Sequence, residues 1–324
     1  MSAFDGARST SVEFCGLTLA HPIINGSGTF DAIAARRAFG DALLAQFPFS
    51  AYVSKTITLE PRIGNPPPRL WETPAGLINS IGLPNKGLHG YLHEDLPQLA
   101  EITAGAGAAN GLAGRASIPL ITNVMGATAE ELALLVEACE ERPEIAAIEL
   151  NVSCPNVKTG LDIGADPVQL EQVVRAVRAC TGKPLVVKLT PNTADVAACA
   201  YAAEQGGADA VSLINTLRAT ALAPRQATQH AAGVDHGADS DARGHPEPWL
   251  GGGGGGQSGP AIRAVALAQV AAVAARVAVP VIGMGGVQRS AHARDLIDVG
   301  ATLVAVGTES FRDPAAGSRI ALGL

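Results

Sequence analysis

The chain has 324 residues and a formal net charge of −7, with 47% apolar, 16% charged and 4% aromatic residues. That length suits one large domain or two ordinary ones and easily buries a substantial core. The acidic balance argues against a partner bound through nucleic-acid phosphates, and the few aromatics argue against a single-strand stacking platform. No run of about 18 apolar residues is present to span a membrane; the longest candidate starts near Ala264 and soon meets Arg276. Residues 1–10 lack the apolar core of a signal peptide. The five cysteines are odd in number, scattered and free of any C-x-x-C pair, which speaks against a disulfide framework or zinc ribbon and for a reducing cytoplasm.

Eight short apolar runs follow one another, each closing in Gly, Asn, Ser or Thr: Pro22-Ile-Ile-Asn-Gly-Ser-Gly, Ala51-Tyr-Val-Ser-Lys-Thr, Pro119-Leu-Ile-Thr-Asn-Val-Met-Gly, Ala147-Ile-Glu-Leu-Asn-Val-Ser-Cys, Pro184-Leu-Val-Val-Lys-Leu-Thr, Ala210-Val-Ser-Leu-Ile-Asn-Thr, Pro280-Val-Ile-Gly-Met-Gly-Gly and Ala301-Thr-Leu-Val-Ala-Val-Gly-Thr. Nearly continuous apolar character suits strands buried on both faces of a parallel sheet. Amphipathic helical patterns lie between them, at 129–141, 167–180, 194–205 and 260–276, with Thr128, Asp166 and Thr193 placed as N-caps. Strands alternating with helices eight times predict a closed (β/α)8 barrel, a TIM barrel of the α/β class, forming a single domain over residues 1–324; a doubly wound open sheet is the structural alternative. Two segments break the rhythm. Residues 59–92, rich in Pro and Gly, are too long for a plain connector and are expected to cover the barrel mouth. Residues 224–256, with His230, His236, His245, several Asp and six consecutive glycines, read as a flexible insertion.

In this architecture the catalytic groups gather at the C-terminal ends of the strands. Those ends supply Ser27, Lys55 with Thr56, Asn123, Asn151 with Cys154 and Asn156, Lys188, Asn215 with Thr216, Gly285 with Gly286, and Gly307 with Thr308. Glycine turns after the last two strands let backbone N–H groups approach a phosphate closely; tight turns alone would also explain either one singly. The chain has only five lysines, and Lys55 and Lys188 sit inside or at the end of apolar strands, where lysine is rarely buried without a partner. Together they suggest an anionic ring system between them, as a reduced flavin would be. Cys154, between Ser153 and Pro155, lies in a loop rather than on a packed face, where a tuned thiolate can act as a base. Asn79, Asn151, Asn156 and Asn215 offer paired donors and acceptors to a planar ligand bearing amides.

The run Asn151-Val-Ser-Cys-Pro-Asn-Val-Lys, with Lys55-Thr56, Asn79-Ser-Ile-Gly-Leu-Pro-Asn85, Val187-Lys-Leu-Thr-Pro191, Asn215-Thr216 and Gly283-Met-Gly-Gly286, resembles class 1 dihydroorotate dehydrogenase over about residues 12–312. The resemblance implies an FMN-dependent barrel that oxidises dihydroorotate to orotate in pyrimidine biosynthesis. Flavin contacts of the family match Ser27, Lys55, Thr56, Asn123, Asn151, Lys188, Ile214, Gly259, Gly285, Gly286, Gly307 and Thr308. Substrate contacts match Lys55, the loop of Asn79, Ser80, Ile81, Gly82 and Leu83, and Asn151, Asn156, Asn215 and Thr216. The implied catalytic pair is Cys154, taking a proton from C5 as hydride leaves C6, and Lys188, stabilising charge on the reduced flavin. Cysteine rather than serine at 154 is similar to class 1, and the continuation Val157-Lys158-Thr-Gly160 is closer to the NAD-linked class 1B than to the fumarate-using class 1A. That class implies a homodimer and a separate electron-transfer subunit carrying FAD and a 2Fe–2S cluster, since this chain offers neither a cysteine cluster nor a G-x-G-x-x-G fingerprint after a strand. Residues 219–256 depart from the family pattern before the Gly255-Gly-Gln-Ser-Gly259 turn, and residues 104–117 look like a small insertion. Two other readings stand beside this one: a related flavin barrel acting on another dihydropyrimidine or on a tRNA dihydrouridine, the latter disfavoured by the acidic charge, and a non-catalytic flavin-binding subunit.

Overall fold

The computed structural model describes residues 11–109, 117–152, 163–223 and 247–324. Eight parallel strands form one sheet: β1 (Ile23–Asn25), β2 (Tyr52–Val53), β3 (Leu120–Val124), β4 (Ala147–Asn151), β5 (Leu185–Lys188), β6 (Ala210–Leu213), β7 (Val281–Met284) and β8 (Leu303–Val306). They neighbour one another in chain order from β2 to β8, and β8 then pairs with β1. All eight apolar runs are therefore barrel strands. The seam between β1 and β2 is closed by a side chain: Asn25 Nδ2 donates to Val53 O (2.7 Å) and Asn25 Oδ1 accepts from Val53 N (2.8 Å). Asn25 is fully buried, so its amide takes the place of a ladder peptide.

A helix follows each strand: α1 (Ala32–Phe39), α2 (Leu96–Ala109), α3 (Ala129–Glu140), α4 (Pro167–Arg178), α5 (Val196–Gln205), α6 (Arg263–Ala274), α7 (Ser290–Asp298) and α8 (Ala316–Leu322). Thr128 and Asp166 cap α3 and α4 as expected, accepting from Glu131 N and from Val168 N and Gln169 N. The expected cap Thr193 is not one. Asp195 caps α5 through Ala198 N, while Thr193 donates to Ala165 O; the carboxylate two residues later lies one turn ahead of the donor it satisfies.

The strand faces alternate between two cores. Ile148 and Leu150 of β4 pack outward with the helices, whereas Ala147 shares the barrel interior with Ile24, Val53, Ile121, Val186, Ala210, Ile282 and Leu303. A hairpin of Val12–Phe14 and Leu17–Leu19 closes the N-terminal end of the barrel with Phe14 and Leu19. Cys15 (φ 48°) and Gly16 (φ 78°) make its two-residue turn.

Across the other end lies a four-stranded antiparallel sheet, in the order Leu217–Ala219, Gly255–Ser258, Gly76–Asn79, Leu70–Thr73. It joins the 59–92 segment to the end of the 224–256 segment. Residues 224–246 lie outside the described residues. From 247 onward, however, the segment expected to be flexible is built into the structure. Leu250 is buried, Trp249 packs edge-on to Trp71, and the glycine run is hydrogen-bonded through Gly251 N to Pro68 O and Gly253 N to Leu250 O before entering a strand. The Gly255-Gly-Gln-Ser segment is accordingly a strand, not a turn. Glycine is required there by close approach: a Cβ at Gly256 would run into Thr216 Oγ1.

Candidate active site

A cavity of about 320 Å³ opens where the C-terminal strand ends meet this second sheet. Every barrel strand except β3 contributes to its walls, directly or through the loop that follows. Ser27 comes from the β1 loop, Lys55 and Thr56 from the β2 loop, Asn151 from β4 and Lys188 from β5. Ile214, Asn215 and Thr216 follow β6, Gly285 and Gly286 follow β7, and Gly307 and Thr308 follow β8. Asn79, Ile81, Leu83 and Gly259 complete it from the mouth sheet and its loops. Sixteen of the residues singled out from the sequence thus share one hollow.

Three do not line it. Asn123 is fully buried, below the cavity, on β3. Ser80 turns away, donating to Gly254 O (2.7 Å) and accepting from Asn65 Nδ2 (3.0 Å). Gly82 (φ 75°) packs against Asn65, and Leu83 (φ 56°) follows it in the left-handed region. The loop therefore alternates: Ile81 and Leu83 face the hollow while Ser80 and Gly82 anchor it. Cys154 and Asn156 lie outside the described residues, just beyond Asn151 and Val152.

The two lysines differ. Lys55 is half exposed and lies 3.9 Å from Asp31 Oδ2. Lys188 is 5% exposed and, among the described residues, makes neither hydrogen bond nor ion pair. A buried ammonium without a partner is costly, so the cavity wall beside Lys188 suits an anion or other acceptor. The hydroxyls and amides around it are tied together: Ser27 Oγ donates to Ser54 O (2.8 Å), Asn151 Nδ2 donates to Thr56 Oγ1 (3.2 Å), and Thr308 Oγ1 donates to Ser258 Oγ (2.8 Å). Asn79 Nδ2 donates to Gly256 O (3.2 Å).

Sequence reasoning missed a polar layer inside the barrel. Glu149, 3% exposed, accepts from Asn123 Nδ2 (2.5 Å) on one oxygen and from Ser212 Oγ (2.6 Å) on the other. The signal was available as one carboxylate inside the apolar run Ala147-Ile-Glu-Leu. Asn192 was also missed. Its amide donates to Thr216 O (3.0 Å) and accepts from Arg218 N (2.9 Å), fixing the segment after β6 that carries Asn215 and Thr216.

The other cysteines are poor rivals to Cys154. Burial pushes the Cys15 thiol up to about 11 and the Cys139 thiol up to about 12, and burial also raises that of Cys180. Among the described residues no group of three His, Cys, Asp or Glu side chains is placed to hold a metal, and no helix is long and apolar enough to cross a membrane. His89 and His93 lie side by side on an exposed helical face, their ring centroids 4.4 Å apart and the rings tilted by 45°.

Glycine turns after β7 and β8, a buried lysine without a contacting counter-charge among the described residues and converging asparagines meet in one cavity at the C-terminal face of an α/β barrel, where the enzymes of this fold carry their active sites. The residues fit a flavin: Gly285, Gly286 and Gly307 leave room for a phosphate at the cavity wall, and Lys188, which lines the same cavity, has no acceptor among the described residues. The chain matches the dihydroorotate dehydrogenase family over residues 9–324 and belongs to it; the family consists of flavin-dependent oxidoreductases. It is 41% identical over 315 residues to the dihydroorotate dehydrogenase B (NAD(+)) catalytic subunit of Pelobacter propionicus, covering 97% of this chain and 91% of that protein. It is 40% identical over 320 residues to the subunit of the same name from Geotalea uraniireducens, covering 98% and 93%.

Proposed function

We propose that the protein is the catalytic subunit of an NAD-linked, class B dihydroorotate dehydrogenase, oxidising (S)-dihydroorotate to orotate on FMN. The reading rests on the convergence of Lys55, Asn79, Asn151, Lys188, Asn215 and the paired glycines on one cavity, in a chain of that family. Gly285, Gly286, Gly307 and Thr308 would hold the phosphate, and Lys188 the pyrimidine end of the ring system. FMN held there would supply the acceptor for the hydride leaving C6 of dihydroorotate. Cys154, as thiolate, takes the proton from C5, so that the C5–H and C6–H bonds break and the ring double bond forms. Asn79, Asn151, Asn156, Asn215 and Thr216 orient the substrate ring and its carboxylate, with Lys55 beside them.

The relatives' designation as a catalytic subunit supports a separate electron-transfer subunit, which we assign FAD and a 2Fe–2S cluster, in a complex built on a homodimer of this chain in the cytoplasm. Adding dihydroorotate anaerobically to the purified, FMN-loaded chain should bleach the flavin absorbance with one equivalent of orotate formed. An unbleached flavin, or bleaching by dihydrouracil but not dihydroorotate, would remove the substrate assignment.

A further inference from the structure

We propose that Glu149 is a positioning residue that balances the charge of Lys188 across the inward face of β5 and so lowers the reduction potential of the flavin bound above it. The inference rests on the flavin reading above and goes beyond it.

Among the described residues, Glu149 is the only buried carboxylate and Lys188 the only buried ammonium, and no arginine or aspartate is buried. The two stand on neighbouring strands. Register pairs Glu149 with Val186 and Asn151 with Lys188. Val186 belongs to the barrel interior, so Lys188, two residues on, shares that face. Ordinary strand spacing and rise put the Cα atoms of Glu149 and Lys188 about 8 Å apart. The carboxylate comes nearer than its backbone. Ser212 on β6, in register with Lys188, donates to one Glu149 oxygen at 2.6 Å. β4 and β6 flank β5, so this bond runs across the inward face of β5 and carries the carboxylate up between Val186 and Lys188. The other oxygen accepts from Asn123 Nδ2. Both donors are neutral, and they hold the carboxylate in place without cancelling its charge. Lys188 makes no direct ion pair with it and lines the cavity instead. Opposite charges in a water-poor interior attract without touching, and either one alone there is costly. A reduced flavin is anionic at its pyrimidine end, so the ammonium favours it and the carboxylate one layer down offsets part of that attraction. With Lys188 unbalanced the flavin would hold its electrons more tightly, which works against an acceptor as reducing as a nicotinamide.

The test has two arms. Urea unfolding of the full-length apoprotein reads the pair with no flavin present, in a double-mutant cycle of Glu149→Gln, Lys188→Met and both together. Glutamine can keep both hydrogen bonds, its oxygen accepting from Asn123 and its NH₂ donating to Ser212 Oγ. Each single variant leaves one charge alone, so the double variant should be at least tenfold more stable, in unfolding equilibrium constant, than the two single losses combined. A Glu149→Gln chain that folds only when Lys188 is also replaced supports the pairing in the same way. Redox titration of the FMN-loaded chain against a reference dye is the second arm. Glu149→Gln should raise the midpoint potential by about 30 mV or more, a tenfold change for a two-electron couple. Ser212→Ala disturbs the same network without removing a charge and should shift it by less than a third of that. Additive losses in the unfolding cycle overturn the charge pairing. An unchanged or lowered potential in Glu149→Gln overturns the effect on the flavin, as does an equal shift in Ser212→Ala. A chain that takes up no FMN overturns the cofactor reading, and the unfolding cycle then decides the pairing by itself.

Discussion

Cys154 sits three residues past Asn151, the last residue of β4, whose side chain is fixed to Thr56 in the cavity wall. A thiol has an ordinary pKa near 8.5 and a serine hydroxyl is a far weaker acid, so the two side chains differ most as bases near neutrality. Cys154→Ala should retain the yellow flavin and lose about 10²–10⁴-fold in dihydroorotate oxidation, the usual worth of a general base. Cys154→Ser should recover part of that rate only at raised pH. Stopped-flow reduction of the bound flavin across pH 6–10 checks both, and an alanine variant as fast as wild type at pH 7 would mean that another group takes the C5 proton. The single-residue signals legible in sequence were those where a polar side chain breaks an apolar strand close to its end, as Lys188 and Asn151 do. Glu149 breaks a strand in the same way, yet it lies mid-run, and nothing in the sequence says that a mid-strand carboxylate will find Asn123 and Ser212 on two other strands. That pairing exists only once the barrel closes.

At the scale of elements, the eight strands and four of the eight barrel helices were legible because double-sided burial writes itself as apolar runs and one-sided burial as a 3.6-residue period. The mouth sheet was not. Its strands Gly76–Asn79 and Gly255–Ser258 are separated by some 175 residues, and half of the second is glycine, which composition alone assigns to a flexible loop. The physical reason for those glycines is proximity: the backbone at Gly256 lies against Thr216 on one side, and its carbonyl holds Asn79 on the other. Two proposed substrate side chains are therefore spaced by one residue without a side chain. Gly256→Ala should push Thr216 aside and raise KM for dihydroorotate about tenfold or more, with FMN content unchanged. Equal loss of bound flavin and substrate affinity would show instead that the whole sheet had come away from the barrel.

At the scale of the whole molecule, the barrel depends on its β1–β2 seam, where Asn25 stands in for missing ladder bonds and Ser50 N donates to Ile23 O (3.1 Å). His21 lies at the start of that seam. Its Nδ1 accepts from Ile23 N (3.2 Å), its carbonyl accepts from Ser50 Oγ (2.6 Å), and burial lowers its pKa to about 4. Protonation would turn the Nδ1 acceptor into a donor facing another donor. Between pH 6.5 and about 4 the unfolded chain binds a proton at this histidine and the folded chain does not, so stability must fall as pH falls through that window. His292 adds to the effect with the same sign, its pKa lowered by burial and by Arg263 and Arg289. The His21 share is about 2–3 kcal/mol between pH 7.5 and 4.5. Urea unfolding at those two pH values should show the loss in the wild type, and His21→Asn, whose carbonyl can still accept from Ile23 N but does not titrate, should recover most of it. An equally steep decline in the variant would place the acid sensitivity away from the seam.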